Sequence, residues 1–135
     1  MTRIMTNLFL GSLRDAEELA VSNPHNIKAV ITLCESWVVE KRHGLRYVHI
    51  PIEDDEPVPI FKFDRIVNAI GENRRRGAVL VHCGEGVSRA PSLTAAYMHV
   101  VGYLNIDSAL AEIKRLRPYI NPSDTLLESV RRRWA

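Results

Sequence analysis

The sequence predicts an α/β domain with a small, mainly parallel central sheet that is flanked by helices on both faces. Short apolar runs alternate along the chain with segments whose apolar residues recur every three or four positions. This is the pattern of strands that alternate with helices. The chain has 135 residues, 46% of them hydrophobic, which is enough for the core of a single domain over residues 1–135.

Four strands are predicted from the short apolar runs, at 8–10, 29–33, 46–50 and 78–82. Five helices are predicted from apolar residues at helical spacing, at 13–20, 63–70, 93–104, 110–116 and 126–134. We expect Gly71 to end the second helix and Asp107 to precede the fourth. Pro91 falls in the first turn of the third helix, where its missing N–H costs nothing.

The most informative stretch lies between the strand at 78–82 and the third helix, where residues 82–89 read HCGEGVSR. A loop that enters a helix N-terminus presents N–H groups without intrahelical partners, and the helix dipole adds partial positive charge. Such a loop binds an oxyanion without any lysine. We expect Gly84 and Gly86 to adopt the positive φ values that this cradle needs.

Cys83 and Arg89 are the candidate catalytic residues of this loop. The field that binds a phosphate also favours a thiolate, which makes Cys83 a nucleophile at neutral pH. Arg89 supplies a planar fork that grips two phosphate oxygens. An inert buried cysteine is the alternative, but it would not require two glycines and an arginine beside it. The predicted phosphate-binding residues are Gly84, Glu85, Gly86, Val87, Ser88 and Arg89.

The spacing His-Cys-x5-Arg resembles the signature of the cysteine-dependent protein tyrosine phosphatases, and more narrowly that of their dual-specificity branch. Further segments resemble the opening strand, the general-acid loop and the approach to the last helix of that branch: NLFLGS at 7–12, HIPIED at 49–54, RP at 117–118 and NPS at 121–123. The resemblance covers nearly the whole chain. It implies one catalytic domain with a dual-specificity phosphatase-like fold, and it implies no metal and no other cofactor.

Asp54 matches the family position of the general acid. Expulsion of an alkoxide or phenoxide is slow unless the leaving oxygen is protonated, so the reaction needs such a group. Glu53, Asp55 and Glu56 crowd Asp54, and like charges this close favour keeping one carboxyl protonated. The crowding leaves Asp55 as an alternative acid. The other acidic residues are most simply parts of a solvated loop.

The resemblance implies phosphoester hydrolysis in two steps. Cys83 attacks phosphorus while Asp54 protonates the departing oxygen, and water activated by the Asp54 carboxylate then hydrolyses the phosphocysteine. The chain is too short for the elaborations that wall a deep phosphotyrosine cleft in longer family members. We therefore expect a shallow pocket that is open to phosphotyrosine in proteins, with phosphoserine and phosphothreonine as further candidates.

Two positions depart from the family pattern. Ala90 follows the arginine where the family usually has a Ser or Thr that stabilises the thiolate in the second step, so we expect slow hydrolysis of the intermediate. Ser123 stands where the family tends to place an asparagine that braces the phosphate loop. Asn121 or the Ser123 hydroxyl is a candidate substitute, although an N-cap of the last helix is the simpler role for Ser123.

Three further side chains near this site have two interpretations each. His82 is expected to orient the loop and tune the thiol, as the resemblance implies, and not to act as acid or base. Ser88 resembles the loop hydroxyl of the branch, and its alternative is an N-cap. The simpler interpretation of Cys34 is a buried cysteine without a chemical role. Some lipid-phosphatase relatives have a cysteine here that bridges reversibly to the nucleophile, which suggests that Cys34 protects Cys83 from over-oxidation.

Other functional classes stay open. A catalytically weak phosphate-binding or scaffold module would explain Ala90, although Cys83, Arg89 and Asp54 are all present. A lipid or RNA phosphatase would be expected to have basic residues where this loop has Glu85. A rhodanese-like sulfur transferase would leave Asp54 and Arg89 without roles. A zinc or redox role for the two cysteines lacks a CxxC pair.

Composition agrees with a cytoplasmic protein, and the resemblance implies an enzyme that acts on phosphorylated proteins, which we expect to be a monomer. Two cysteines make no disulfide framework, which favours a reducing compartment. No segment approaches the ~18 consecutive apolar residues of a membrane span, and residues 1–6 lack a signal-peptide core. The net charge of +2 and the absence of a nucleic-acid motif predict neither a membrane nor a nucleic-acid partner.

Overall fold

The computed structural model describes residues 1–134 and confirms the predicted α/β class. Its strands are β1 (Thr2–Met5), β2 (Leu8–Gly11), β3 (Ile27–Thr32), β4 (Arg46–His49) and β5 (Ala78–His82). Its helices are α1 (Leu13–Glu18), α2 (Ile60–Arg74), α3 (Arg89–Val100), α4 (Ile106–Leu116) and α5 (Asp124–Arg133). The sheet order is β1-β2-β5-β3-β4, with β1 antiparallel and the other pairs parallel.

Helices cover both faces of the sheet, as predicted. Alternate residues of β5 point to opposite faces, so Val79 and Val81 join the larger core cluster while Leu80 joins the smaller one. The larger cluster takes side chains from α2, α3, α4 and α5, and the smaller one includes Ala16 of α1. The central strand is therefore buried on both sides.

Several boundaries differ from the sequence-based expectations. β1 was not predicted, because two of its four residues are polar and only Ile4 is buried, so the strand has no clear apolar pattern. The expectation that Gly71 ends a helix is wrong. α2 continues to Arg74, since an interior glycine costs only ~1 kcal/mol. At this position a Cβ would lie 3.6 Å from the Tyr97 ring of α3.

The fourth helix begins before Asp107, not after it. Asn105 is its N-cap and accepts a hydrogen bond from the Ser108 N–H, so α4 starts at Ile106. The third helix ends at Val100 and not at residue 104. No helix within residues 1–134 has both the length and the apolar character to cross a membrane.

The parallel strands bring the candidate site to one edge of the sheet. β5 ends at His82 and α3 begins at Arg89, so residues 83–88 form the turn between them. β3 and β4 end at the same edge, where residues 33–36 and 50–59 follow. Open α/β sheets bind their ligands at this carboxyl edge.

Candidate active site

The carbonyl groups of the loop at 83–88 accept hydrogen bonds from other parts of the chain. Backbone donors from other parts of the chain reach these carbonyls, with Leu13 N donating to Gly84 O (2.9 Å), Asn121 N to Val87 O (2.8 Å) and Ser92 N to Ser88 O (3.1 Å). Across the described residues 1–134, the N–H groups of 84–88 donate to no protein acceptor. A row of free N–H groups at a helix N-terminus is an anion-binding site.

The side chain of Arg117 donates hydrogen bonds to two further carbonyl groups of the loop. Its side chain is buried, and Nε donates to Gly86 O (2.9 Å) while Nη2 donates to Glu85 O (3.4 Å). Nη1 donates to Thr2 Oγ1 (2.8 Å) on β1. The sequence analysis used Arg117 only as part of a resemblance and missed this role, because its partners lie 31, 32 and 115 residues away in the chain.

The backbone conformation and the close neighbours of position 86 require a glycine, whereas those of position 84 do not. Gly86 has a φ of 70°, and a Cβ there would meet Arg117 Nη2 at 2.5 Å and Gly11 O at 2.6 Å. Gly84 has no positive φ, so that expectation is wrong. A Cβ at Gly84 would lie 3.7 Å from Arg89 Nη2, which is an ordinary contact.

Cys83 lies directly after β5 and is buried, with 3% of its surface exposed. The Ala90 N–H, in the first turn of α3, donates to Cys83 Sγ at 3.4 Å. A hydrogen bond of this kind strengthens when the acceptor carries a charge. The first turn of α3 therefore directs a hydrogen-bond donor at the Cys83 sulfur.

The guanidinium of Arg89 is held from two sides. Nη1 donates to Glu35 Oε2 (2.8 Å) and to Ile52 O (3.2 Å), while Nη2 lies near Gly84 of the loop. Burial opposes the charge on Arg89, but the Glu35 hydrogen bond and neighbouring charges outweigh it and raise the pKa of Arg89. A hydrogen bond to its own backbone and the contact with Arg89 lower the pKa of Glu35. Glu35 is a site residue that the sequence analysis missed.

Asp54 is hydrogen-bonded to the loop at 83–88 and to Ser123. Its Oδ1 accepts from Ser88 Oγ (2.5 Å), and its backbone oxygen accepts from Ser123 Oγ (2.9 Å). Asp54 and Arg89 line the same cleft, whereas Asp55 is not among the lining residues. The structure thus brings Asp54, and not its alternative, next to the loop.

The cleft has a volume of about 710 Å³. Its lining is rich in carboxylates and prolines, and consists of Glu35, Pro51, Ile52, Glu53, Asp54, Glu56, Pro57, Val58, Pro59, Lys62 and Arg89. Lys62 Nζ donates to Pro51 O (2.6 Å) and Arg89 Nη1 donates to Ile52 O, so both cations of the lining already contact the backbone. Side chains that would attract a highly charged polyanion are therefore few.

His82 lies fully buried behind the loop. Its Nδ1 is 3.1 Å from Cys83 O and its Nε2 is 2.7 Å from Thr32 Oγ1. A carbonyl can only accept, so Nδ1 carries the proton and Nε2 accepts from the Thr32 hydroxyl. Burial lowers the pKa of His82 and keeps the ring neutral. The imidazole thus links β3 to the first residue of the loop.

Cys34 is a buried free thiol, as is Cys83. Its Sγ donates to Ser36 O (3.6 Å), and burial raises the pKa of the Cys34 thiol, although the charge of Arg89 opposes this. A disulfide with Cys83 stays a prediction. Among residues 1–134 there is no group of three or more His, Cys, Asp or Glu side chains placed to hold a metal ion.

The chain resembles known proteins in sequence. Residues 8–133 match the model described as dual specificity phosphatase, catalytic domain. Dual specificity protein phosphatase 15 of Homo sapiens is 34% identical over 122 residues, which are 89% of this chain and 41% of that protein. Dual specificity protein phosphatase 22 of Xenopus laevis is 30% identical over 125 residues, which are 91% of this chain and 59% of that protein.

A solved structure gives the same match in three dimensions. The crystal structure of DUSP15 has a TM-score of 0.88 and 32% sequence identity with this chain, and the match covers 100% of this chain and 88% of that one. The chain spans about half the length of the curated relatives that it matches.

Proposed function

The chain belongs to the dual specificity phosphatase family, and from this premise we propose that it hydrolyses phosphotyrosine in proteins, together with phosphoserine or phosphothreonine, through a phosphocysteine. One observation carries the proposal. A loop with free N–H groups holds Cys83 and Arg89 at the sheet edge, and Asp54 is bonded to that same loop. Nucleophile, phosphate clamp and acid are then within one site.

In the first step the free N–H groups and Arg89 bind the phosphate oxygens. The Cys83 sulfur attacks phosphorus, so an S–P bond forms as the P–O bond to the leaving group breaks. Asp54 gives its proton to the departing oxygen, which leaves as an alcohol or a phenol. The fixed donors stabilise the charge on the equatorial oxygens without reorganising.

In the second step water attacks the phosphocysteine. Asp54, now a carboxylate, takes a proton from the water, and the S–P bond breaks to release inorganic phosphate and the Cys83 thiolate. The Ala90 N–H is the group that donates to this sulfur, and the side chain of Ala90 adds no hydroxyl. We therefore propose that the second step is slow.

The cleft supports phosphorylated proteins over polyphosphorylated lipids or RNA. Glu35, Glu53 and Glu56 line the same cleft as Arg89, and each would repel a second phosphate group. Exposed Glu85 in the loop adds to this repulsion. We further propose that the enzyme is a monomer of the cytoplasm, where reducing conditions keep Cys83 a free thiol.

A second candidate function rests on Ala90. A site that binds phosphate well but regenerates its thiolate poorly would act as a phosphate-binding module. In that case phosphopeptide binding, lost in Arg89→Ala, would be found without turnover.

The test is hydrolysis of 4-nitrophenyl phosphate and of phosphotyrosine and phosphoserine peptides in the presence of EDTA. We expect turnover that is abolished in Cys83→Ser and falls about 10²-fold or more in Asp54→Asn, since a general acid contributes about 10²–10⁴-fold. Turnover that survives Cys83→Ser would contradict the proposal.

A further inference from the structure

Two serines join the acid loop at 50–59 to the proposed phosphate loop at 83–88 and to α5. Ser123 is the N-cap of α5, as expected, because its Oγ accepts from the Leu126 N–H (3.1 Å). The same Oγ donates to Asp54 O (2.9 Å), and the Ser123 N–H donates to Ser88 Oγ (2.9 Å). Ser123 therefore contacts both of the segments that carry the proposed catalytic groups.

Ser88 occupies the N-cap position of α3 but does not cap it. Its side chain makes no hydrogen bond to the first turn of the helix, so the N-cap interpretation of Ser88 is wrong for its side chain. A serine at this position ordinarily accepts from an N–H of that turn. Here Ser88 Oγ is committed to Asp54, 34 residues earlier in the chain.

The direction of each hydrogen bond follows from the groups involved. The Ser123 N–H can only donate, so it occupies a lone pair of Ser88 Oγ. The Ser88 hydroxyl proton then points to Asp54 Oδ1. An Oδ1 that accepts this bond leaves Oδ2 to carry the proton that the reaction needs.

We infer that Ser123 and Ser88 are positioning residues that fix the Asp54 carboxyl by both its backbone and its side chain, with Oδ2 as the proton-donating atom. The inference rests on the proposed function, in which Asp54 is the general acid. α5 holds the same loop at a second place, because Ser129 Oγ accepts from the Val58 N–H (2.9 Å). The acid loop is thus held by α5 and its N-cap at two places.

The test compares Ser123→Ala with Ser123→Thr and with Asn105→Ala. Ser123→Ala removes the hydroxyl contact to Asp54 and one helix cap, but it keeps the N–H that reaches Ser88. Asn105→Ala removes the matching cap of α4, which lies outside the site, and so controls for lost helix stability. Ser123→Thr keeps a hydroxyl and should restore the wild-type behaviour.

The readout is kcat/KM for phenyl phosphate, a poor leaving group, and for 4-nitrophenyl phosphate, a good one. Because kcat/KM reports the first step alone, slow hydrolysis of the intermediate does not mask the effect. We expect Ser123→Ala to lower the phenyl phosphate value about tenfold and the 4-nitrophenyl phosphate value less than about threefold, since acid catalysis matters most for poor leaving groups. Equal losses on both substrates would overturn the inference.

Amide hydrogen exchange of residues 53–58 supplies a second readout that needs no turnover. Exchange should be faster in Ser123→Ala and unchanged in Asn105→Ala, and unchanged exchange in Ser123→Ala would overturn the inference. Failure of the proposed function would give a different result, which is that the wild type shows no Cys83-dependent hydrolysis. That result would also remove the catalytic role of the two serines, while exchange would still report their contacts.

Discussion

Ala90 is the residue whose replacement tests the second chemical step. Its N–H donates to Cys83 Sγ, and the residue is fully buried. Ala90→Ser adds a hydroxyl at this point, and a hydrogen bond to a charged group is worth about 1.5–3 kcal/mol. We therefore expect steady-state turnover to rise about tenfold, and a pre-steady-state burst seen in the wild type to shrink.

Rapid mixing with 4-nitrophenyl phosphate measures that burst. Ala111→Ser, on the exposed face of α4, is the matched control and should keep the wild-type burst. Product formation that is linear from time zero in the wild type would show that the second step is not slow.

His82 makes the fold sensitive to acid. Burial lowers the pKa of His82 below its ordinary value of 6.5, so below pH 6.5 the unfolded chain binds a proton that the folded chain excludes. Stability rises with pH wherever the unfolded state holds more protons. The contribution of neutral His82 to the free energy of unfolding is therefore complete above pH 6.5. It falls as the pH drops, by at most about 1.4 kcal/mol per pH unit.

Urea unfolding at pH 7.5 and at pH 5.5 measures this loss of stability. We expect His82→Gln to weaken the pH dependence, because its side chain takes up no proton. His43→Gln, which changes an exposed histidine, should leave the pH dependence as in the wild type. Equal pH dependence in the wild type and in His82→Gln would contradict the assignment.

The phosphate loop, as an element, depends on Gly86. Gly86→Ala places a Cβ at a φ of 70° and within 2.6 Å of Gly11 O, so either the loop or β2 must move. Strained backbone of this kind costs about 1–3 kcal/mol before the clash is counted. We expect a clear fall in Tm and the loss of phosphate binding.

Gly84→Ala is the matched variant for stability. Its Cβ meets only Arg89 Nη2 at 3.7 Å and its backbone does not require glycine, so Tm should change little. Thermal unfolding of both variants decides the matter. Similar Tm losses at the two positions would mean that the close approach to Gly11 and Arg117 does not restrict Gly86.

At the level of elements, the sequence predicted what depends on local pattern. The apolar run at 78–82 and the periodic segment behind Pro91 correctly placed β5 and α3 around the phosphate loop. Helix ends were less predictable, because packing decides them. Gly71 stays helical where it faces Tyr97 of α3, and the local sequence does not predict that contact.

Over the whole molecule, the contacts that assemble the site join residues far apart in the chain. Glu35 reaches Arg89 across 54 residues, and Arg117 reaches Gly86 across 31. Periodicity and spacing report neighbours within an element, so they cannot show these pairs. The spacing from Cys83 to Arg89 was readable because one loop contains both residues.

The parallel sheet brings these distant residues together. β3, β4 and β5 end side by side, so the segments that follow them meet at one edge and carry Glu35, Asp54 and Cys83 respectively. α5 then fastens the acid loop from the opposite end of the sequence. The proposed chemistry is therefore a property of the complete fold and not of the loop alone.

The central claim is that Cys83 becomes phosphorylated during turnover. Acid quenching of the wild type within the first turnover of a phosphotyrosine peptide, followed by peptide mass spectrometry, tests it most directly. We predict one added phosphoryl group on the peptide that contains Cys83, enriched by the slow second step and absent in Cys83→Ser. Continued turnover with no phosphoryl group on that peptide would contradict the account.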